Sequence, residues 1–255
     1  FLFVHLDWHA IFWFLAAVGA LLLAINLRTL PETLHASHVQ SFDARNLLRG
    51  YGQLGADPRF LALCLASGVP FNGMFLYVLA APAWPQNSSA PLFAAPAWLG
   101  GHLQLAPTQF FWFFCLSVAG IMGGAWLSGR LAGHIAPRLQ IRRGFLIMGV
   151  ATLANIALNA SLAPHWAWAL PPVALFSLGW ALMVPVVTLK VLDLVPERRG
   201  MASSLQAVVG SVANGLVAGV IVPLVMHSTF ALALTSAAFL AVGLVAWQWV
   251  KRKVP

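Results

Sequence analysis

The residues best suited to chemistry in this chain are amides and aromatic rings that recur at helical spacing inside apolar stretches. Asn72 and Phe75 lie three apart and Phe176 and Trp180 lie four apart, so each pair shares a helix face. Aromatic faces attract cations, and a ligand pocket needs only a few polar groups for orientation. A surface of such residues suits lipophilic, often cationic molecules. The residues that could contribute to one, which we call the candidate ligand-binding residues, are Asn72, Phe75, Gln109, Phe113, Phe176, Trp180, Gln206 and Asn214.

The elements that position these residues are long apolar segments. The 255 residues are 60% hydrophobic and 8% charged, whereas soluble domains average about 25% charged. A bilayer core of about 30 Å needs about 20 apolar residues per helix, and seven such runs occur, at about 8–27, 58–82, 107–129, 144–163, 166–189, 201–226 and 229–250. The runs are continuous rather than alternating, which favours helices over barrel strands. We predict an all-α, polytopic membrane protein with seven transmembrane helices.

The charges predict the orientation of these spans. If the spans cross the bilayer alternately, all fourteen Lys and Arg residues fall on one side. The positive-inside rule makes that side the cytoplasm, so the C-terminus is expected inside and Phe1 outside. The basic residues lie at the ends of spans and not along one solvated face, which argues against nucleic acid as a partner.

Polar residues divide the chain into three parts. Residues 28–57 form the longest polar segment, after one span and before six. Transporters often place two six-helix halves around a central site. We interpret 1–27 as the sixth transmembrane helix of an N-terminal bundle with the outer loop before it, 28–57 as a cytoplasmic inter-bundle linker, and 58–255 as a C-terminal six-helix bundle. With no initiator Met, the chain is expected to be a C-terminal fragment whose N-terminal bundle is missing. The role of a long outer loop, 83–106, is not predicted.

Several local motifs resemble those of one family, the Bcr/CflA group of drug-resistance transporters in the major facilitator superfamily. The most specific match is WHAIFW at 8–13 followed by LPETL at 30–34, which resembles the group's sixth helix and the start of its central loop. Further matches are MFLY at 74–77, SGRLA at 128–132 and PERRGMASSL at 196–205. One departure is that the stretch after Gly129 offers Gly133 and His134, where the superfamily's cytoplasmic loop motif usually has an acid.

The resemblance implies a secondary transporter that exports drugs or small amphipathic metabolites by proton antiport, as a monomer in a bacterial-type inner membrane. The expected partners are the lipid bilayer, a small amphipathic substrate, protons and the missing N-terminal bundle. The candidate ligand-binding residues lie in spans that line the cavity in the superfamily. No acid falls inside a span, and Lys190 lies at an inner end, from which it can reach the interface. The proton-coupling residue is therefore expected upstream of Phe1.

Other interpretations remain open at this stage. The candidate residues could instead be helix–helix contacts, because intramembrane Asn and Gln often bond between helices. The fold could transport another solute, such as a sugar or metabolite, or the chain could be a polytopic membrane protein without transport function.

We predict no catalytic residue, cofactor or metal. His5 and His9 have i, i+4 spacing but no third ligand, and no nucleotide-binding or hydrolase motif is present. Small residues at Gly120, Gly124 and in the series Ser211, Gly215, Gly219 predict close-packed helix seams.

Overall fold

The computed structural model describes residues 8–29, 44–80, 103 and 110–253. All regular secondary structure within these residues is helical, and seven helical segments are long and apolar enough to cross a membrane. The prediction of an all-α, seven-span membrane protein is confirmed. Gln109 and the outer loop, apart from Leu103, lie outside the described residues.

The helices follow the predicted spans closely. They are α1 (Trp8–Thr29), α2 (Ala44–Gly55), α3 (Pro58–Ala80), α4 (Phe110–Leu131), α5 (Pro137–Ser161), α6 (Trp166–Leu192), α7 (Arg199–Leu216), α8 (Val222–Val225) and α9 (Thr229–Lys253). A π-helical segment, Val217–Ile221, joins α7 to α8, so that these three pieces form one span. Pro223 has no N–H to bond the carbonyl of Gly219, and a π-helical turn relieves such a break in the ladder.

The chain forms two compact units, residues 1–47 and 48–255. In the first unit, α1 is exposed from Phe12 to Thr29, as expected of an apolar helix whose surface is covered by lipid. The second unit contains six spans. They are preceded by the end of α2, where the Tyr51 hydroxyl lies 2.8 Å from the hydroxyl of Ser204 at the start of α7.

Glycines allow the helices of the second unit to pack backbone to backbone. A Cβ on Gly120 or Gly124 would overlap the carbonyl oxygens of Ala174 and Leu178, respectively, so α4 lies directly on α6. Close approach through small residues is the usual packing mode of membrane helices. The predicted seam at Gly120 and Gly124 is confirmed. The second predicted seam, Ser211, Gly215 and Gly219, has no close neighbour at its glycines among the described residues. No described atom lies within 4 Å of a Cβ built on Gly215 or Gly219.

Two elements differ from the expectation. Helix α5 begins at Pro137, seven residues before the predicted apolar run, because Arg142 and Arg143 interrupt the apolar pattern but not the helix. Pro137 suits this start, since its missing N–H would have no helical partner at that position. Helix α2 lies within the predicted linker, and its polar composition concealed it.

Basic side chains converge at one end of the second unit. Arg59 and Arg138 lie in the first turns of α3 and α5, and Lys190 and Lys251 lie in the last turns of α6 and α9. All four line one cavity of about 230 Å³. We call this end of the bundle the basic end. The alternation of helix direction inferred from the sequence therefore brings these charges together in space.

Candidate functional site

The candidate ligand-binding site is a group of half-buried rings and polar side chains where α3, α6 and α7 meet. We call it the aromatic–amide cluster, and its members are Ser67, Phe71, Phe75, Trp180, Thr188 and Gln206. All except the buried Ser67 are partly exposed. No member is ionisable at neutral pH, so the site offers ring faces and uncharged hydrogen-bonding groups.

The rings form a continuous aromatic wall. Phe71 and Phe75 lie one helical turn apart on α3, and their rings stack with centroids 5.2 Å apart. The Phe71 ring also meets Trp180 of α6 at 4.9 Å, with the planes tilted by 49°. Spacing of i, i+4 on α3 thus places two rings on the face that meets α6. Such a wall can contact the planar or apolar part of a ligand and attract its positive charge.

Hydrogen bonds fix the positions of the cluster members. The indole N–H of Trp180 donates to the backbone carbonyl of Ser67 at 2.9 Å. The Gln206 amide donates to the hydroxyls of Ser67 and Thr188, both at 3.3 Å. These bonds connect three helices and orient the indole ring. The Gln206 carbonyl accepts no hydrogen bond from the described residues, so it can accept one from a further donor.

The backbones of α3 and α7 come close beside the cluster. A Cβ on Gly68 would lie 4.0 Å from the Cα of Gly210. Gly210 is one turn after Gln206, so the stripe of α7 that carries Gln206 faces α3. Asn214 continues that stripe one turn further and is half-buried.

The eight predicted site residues fall into four groups. Phe75, Trp180 and Gln206 belong to the aromatic–amide cluster. The side chains of Asn72, Phe113 and Phe176 are at most 3% exposed. The Phe176 ring packs at the position where Gly73 has no side chain, which makes it part of the α3–α6 contact. Asn214 is half-buried outside the cluster contacts, and Gln109 lies outside the described residues. The substrate-binding role of all eight stays a prediction.

Asn72 is unusual because its amide is only half satisfied. Its Nδ2 donates to the carbonyl of Gly68 at 3.2 Å, whereas its Oδ1 is buried without a hydrogen-bond donor among the described residues. Buried acceptors in native proteins are nearly always paired, and each exception calls for an explanation. Asn72 directly follows Phe71, so an unused acceptor lies beside the cluster in sequence.

Sequence reasoning missed three members of the cluster, Ser67, Phe71 and Thr188. Phe71 carried a usable signal, since it precedes Phe75 by one helical turn. Ser67 carried one too, at four residues before Phe71. No sequence signal pointed to Thr188, because it belongs to the cluster only through the hydrogen bond that it accepts from Gln206 of α7.

Comparison with known proteins identifies the family. The sequence pattern of the Major Facilitator Superfamily matches residues 1–218 of the 255. No curated protein and no solved structure matches the chain. Proteins of this superfamily are transporters, and the match covers α1 to α7, including the whole aromatic–amide cluster. With its seven apolar helices and this match, the chain is a multi-pass membrane protein that belongs to the Major Facilitator Superfamily.

Proposed function

We propose that this chain is part of a drug-efflux transporter, which exports lipophilic, often cationic small molecules by alternating access in exchange for protons. The observation that carries the proposal is the aromatic–amide cluster, where Phe71, Phe75 and Trp180 present partly exposed rings beside the Gln206 amide. A wall of rings without a charged member suits organic cations. The motifs shared with the Bcr/CflA group favour drugs over sugars.

The proposed organisation and location follow the sequence expectations. Residues 58–255 form the second six-helix bundle of the transporter, α1 belongs to the first, and 28–57 links the two. The protein works as a monomer in a bacterial-type inner membrane, with the basic end of the bundle in the cytoplasm. Support for this orientation is the convergence of Arg59, Arg138, Lys190 and Lys251 at one end.

A matched pair of probes tests the cluster. Tetraphenylphosphonium and tetraphenylborate have nearly the same shape and opposite charge. Because the anion can also bind at the basic end, isothermal titration calorimetry compares the change in affinity for each probe when a ring of the cluster is removed. We expect removal of the ring to weaken binding of the phosphonium and not of the borate. Cation–π attraction contributes about 1–2 kcal/mol when partly desolvated, so Trp180→Leu should weaken phosphonium binding by about tenfold.

The control for this variant is Phe114→Leu, which removes an exposed ring from α4, outside the cluster. It should leave the affinity unchanged. Trp180→Phe keeps a ring and should fall between the wild type and Trp180→Leu. Equal loss of affinity for the two probes in Trp180→Leu, or equal loss of phosphonium affinity in Phe114→Leu and Trp180→Leu, would show that the cluster is not the cation site.

Proton exchange needs a titratable group, and helices α3 to α9 contain no Asp or Glu between the bounds given above. We propose that the coupling group lies outside this chain, in the N-terminal bundle. Phosphonium binding to this chain should then release no protons, so the binding enthalpy should be the same in buffers with different enthalpies of ionisation. A buffer-dependent enthalpy would place a titrating group in this chain and refute the assignment.

A further inference from the structure

Another cavity lies between the first turns of α5 and the last turns of α9, and none of the cluster residues lines it. Its volume is about 820 Å³, within the range of about 300–1,000 Å³ that ligand pockets occupy. Four basic side chains line it, namely Arg138, Arg142, Lys251 and Arg252. We call it the basic cavity.

The lining of the basic cavity changes from charged to apolar along the helix axes. On α5, Arg138 and Arg142 occupy the first turns, and Phe145 and Leu146 follow one turn deeper. On α9, Lys251 lies in the last turn and Leu244 lies about two turns deeper. A phospholipid has the same profile, with an anionic phosphate at the surface and acyl chains below it.

The apolar part of the cavity continues onto the outer surface of α5. Leu146, Val150 and Leu153 are 64%, 54% and 69% exposed, and their spacing of four and three residues places them on one face. This stripe starts at the cavity, because Leu146 is part of the lining. A ligand that filled the cavity could therefore extend along the stripe within the hydrocarbon.

Basic side chains outnumber carboxylates among the described residues that line the two cavities at this end. The basic cavity shares Arg138, Trp247 and Lys251 with the smaller cavity that holds Arg59 and Lys190. Asp193 is the single carboxylate among the described residues that line the two cavities. Its Oδ1 is paired with Nη2 of Arg199 at 3.1 Å. A lining with this excess of basic side chains attracts an anion.

The start of α5 adds to the attraction for an anion. Its N-cap, Ala136, lines the basic cavity and makes no side-chain capping bond. The N-terminal end of a helix carries partial positive charge and favours phosphate groups. This contribution acts together with the four basic side chains.

We propose that the basic cavity binds the phosphate-bearing headgroup of an anionic phospholipid, with an acyl chain lying along the exposed stripe of α5. Basic pockets between transmembrane helices on the cytoplasmic side are suited to such headgroups. The leaflet that supplies the lipid is the one at the basic end, and its assignment as cytoplasmic rests on the proposed orientation. The binding itself depends on neither that orientation nor the transport activity.

The test compares lipids that differ in net charge. The purified full chain is mixed in detergent with palmitoyl-oleoyl phosphatidylglycerol or palmitoyl-oleoyl phosphatidylcholine, and native mass spectrometry counts the lipid retained. Because each Lys or Arg near a membrane contributes about a severalfold increase in affinity for anionic lipid, we expect roughly tenfold more phosphatidylglycerol than phosphatidylcholine to be retained. The double variant Arg142→Ala with Arg252→Ala should reduce this preference to near unity.

A matched control removes the same charge from the same helices. Arg143 and Lys253 are exposed and lie outside the cavity lining, so Arg143→Ala with Lys253→Ala should keep the preference. Arg142→Lys with Arg252→Lys should also keep most of it, which separates lost charge from lost folding.

Three outcomes would overturn the proposal: equal retention of the two lipids by the wild type, equal loss in both alanine pairs, or displacement of the lipid by excess inorganic phosphate. The last would identify a site for soluble anions. Because lipid retention is measured without transport, a failed phosphonium experiment leaves this result unaffected.

Discussion

The side-chain amide of Asn155 in α5 donates a hydrogen bond of 2.6 Å to the hydroxyl of Tyr77 in α3. Both side chains are buried, and Asn159 in turn donates to Oδ1 of Asn155 at 2.9 Å. The three residues connect two helices through polar groups in the interior of an apolar bundle. In such surroundings a satisfied polar contact specifies one arrangement of the helices, since any other leaves polar atoms unpaired.

We expect Asn155→Leu to lower the thermal stability of the detergent-solubilised protein. The substitution removes a buried hydrogen-bond donor from the Tyr77 hydroxyl, and losses of this kind cost about 1–3 kcal/mol. The matched control is Asn159→Leu, one turn along α5, whose amide bonds to Asn155 within its own helix. It should cost less than about 1 kcal/mol. Equal loss of stability in the two variants would show that the contact with Tyr77 contributes nothing specific.

A second prediction concerns the seam between α4 and α6. Gly120→Ala places a methyl group on the carbonyl oxygen of Ala174 and forces the two helices apart. Overpacking of this kind costs about 1–3 kcal/mol or more. Gly123→Ala is the control, because its methyl would meet only Cδ1 of Leu178, at 3.8 Å.

The Gly123→Ala protein should unfold at the same temperature as the wild type or slightly higher, since alanine is the better helix former. Thermal unfolding followed by size-exclusion chromatography distinguishes the two variants. If Gly120→Ala were as stable as Gly123→Ala, the close approach of α4 and α6 would be incorrect.

The sequence predicts the spans of this protein well, for a physical reason. Lipid requires continuous apolar runs of fixed minimum length, and the seven runs appear as seven helical segments. The predicted helix ends were less accurate where a helix extends beyond the hydrocarbon, as α5 does from Pro137 to Arg143. A polar helix such as α2 gives no signal in a search for apolar runs.

The site was harder to predict than the spans. Helices α3, α4 and α6 are apolar on every side, so their composition does not show which face meets a neighbour. Phe113 and Phe75 were equivalent by sequence, yet the Phe113 ring is buried and the Phe75 ring is partly exposed. Only the rotation of each helix about its axis, which packing sets, separates the two.

Gln140 provides a third prediction, at the junction of α4 and α5. Its Nε2 donates to the Ser128 hydroxyl at 2.7 Å and to the carbonyl of Leu182 at 3.0 Å, and the side chain is 2% exposed. It therefore connects the end of α4 and the start of α5 to α6. Gln140→Leu should lower stability by about 1–3 kcal/mol, because it leaves buried acceptors without this donor.

A double-mutant cycle with Ser128→Ala isolates the contact. If the bond between Gln140 and Ser128 contributes as the geometry indicates, the double variant should be less destabilised than the sum of the two single variants. Additive losses, measured as thermal unfolding midpoints in the same detergent, would mean that the two side chains do not interact.

The final prediction concerns orientation. His134 lies in the exposed turn between α4 and α5 at the basic end, and Ser161 is exposed at the opposite end of α5. In a background without Cys64 and Cys115, Ser161→Cys should react with a membrane-impermeant maleimide in intact cells. His134→Cys should react only after permeabilisation. Neither substitution changes a Lys or Arg, so the charges that set the orientation are preserved.

The reverse labelling pattern would place the basic end outside. Fourteen Lys and Arg residues would then have crossed the membrane, against a bias that acts through short loops near the ends of spans. With that orientation the basic cavity would face the outer leaflet, and the anionic phospholipid that it binds would come from that leaflet. Labelling of both positions in intact cells would contradict the single orientation that the clustering of Arg59, Arg138, Lys190 and Lys251 supports.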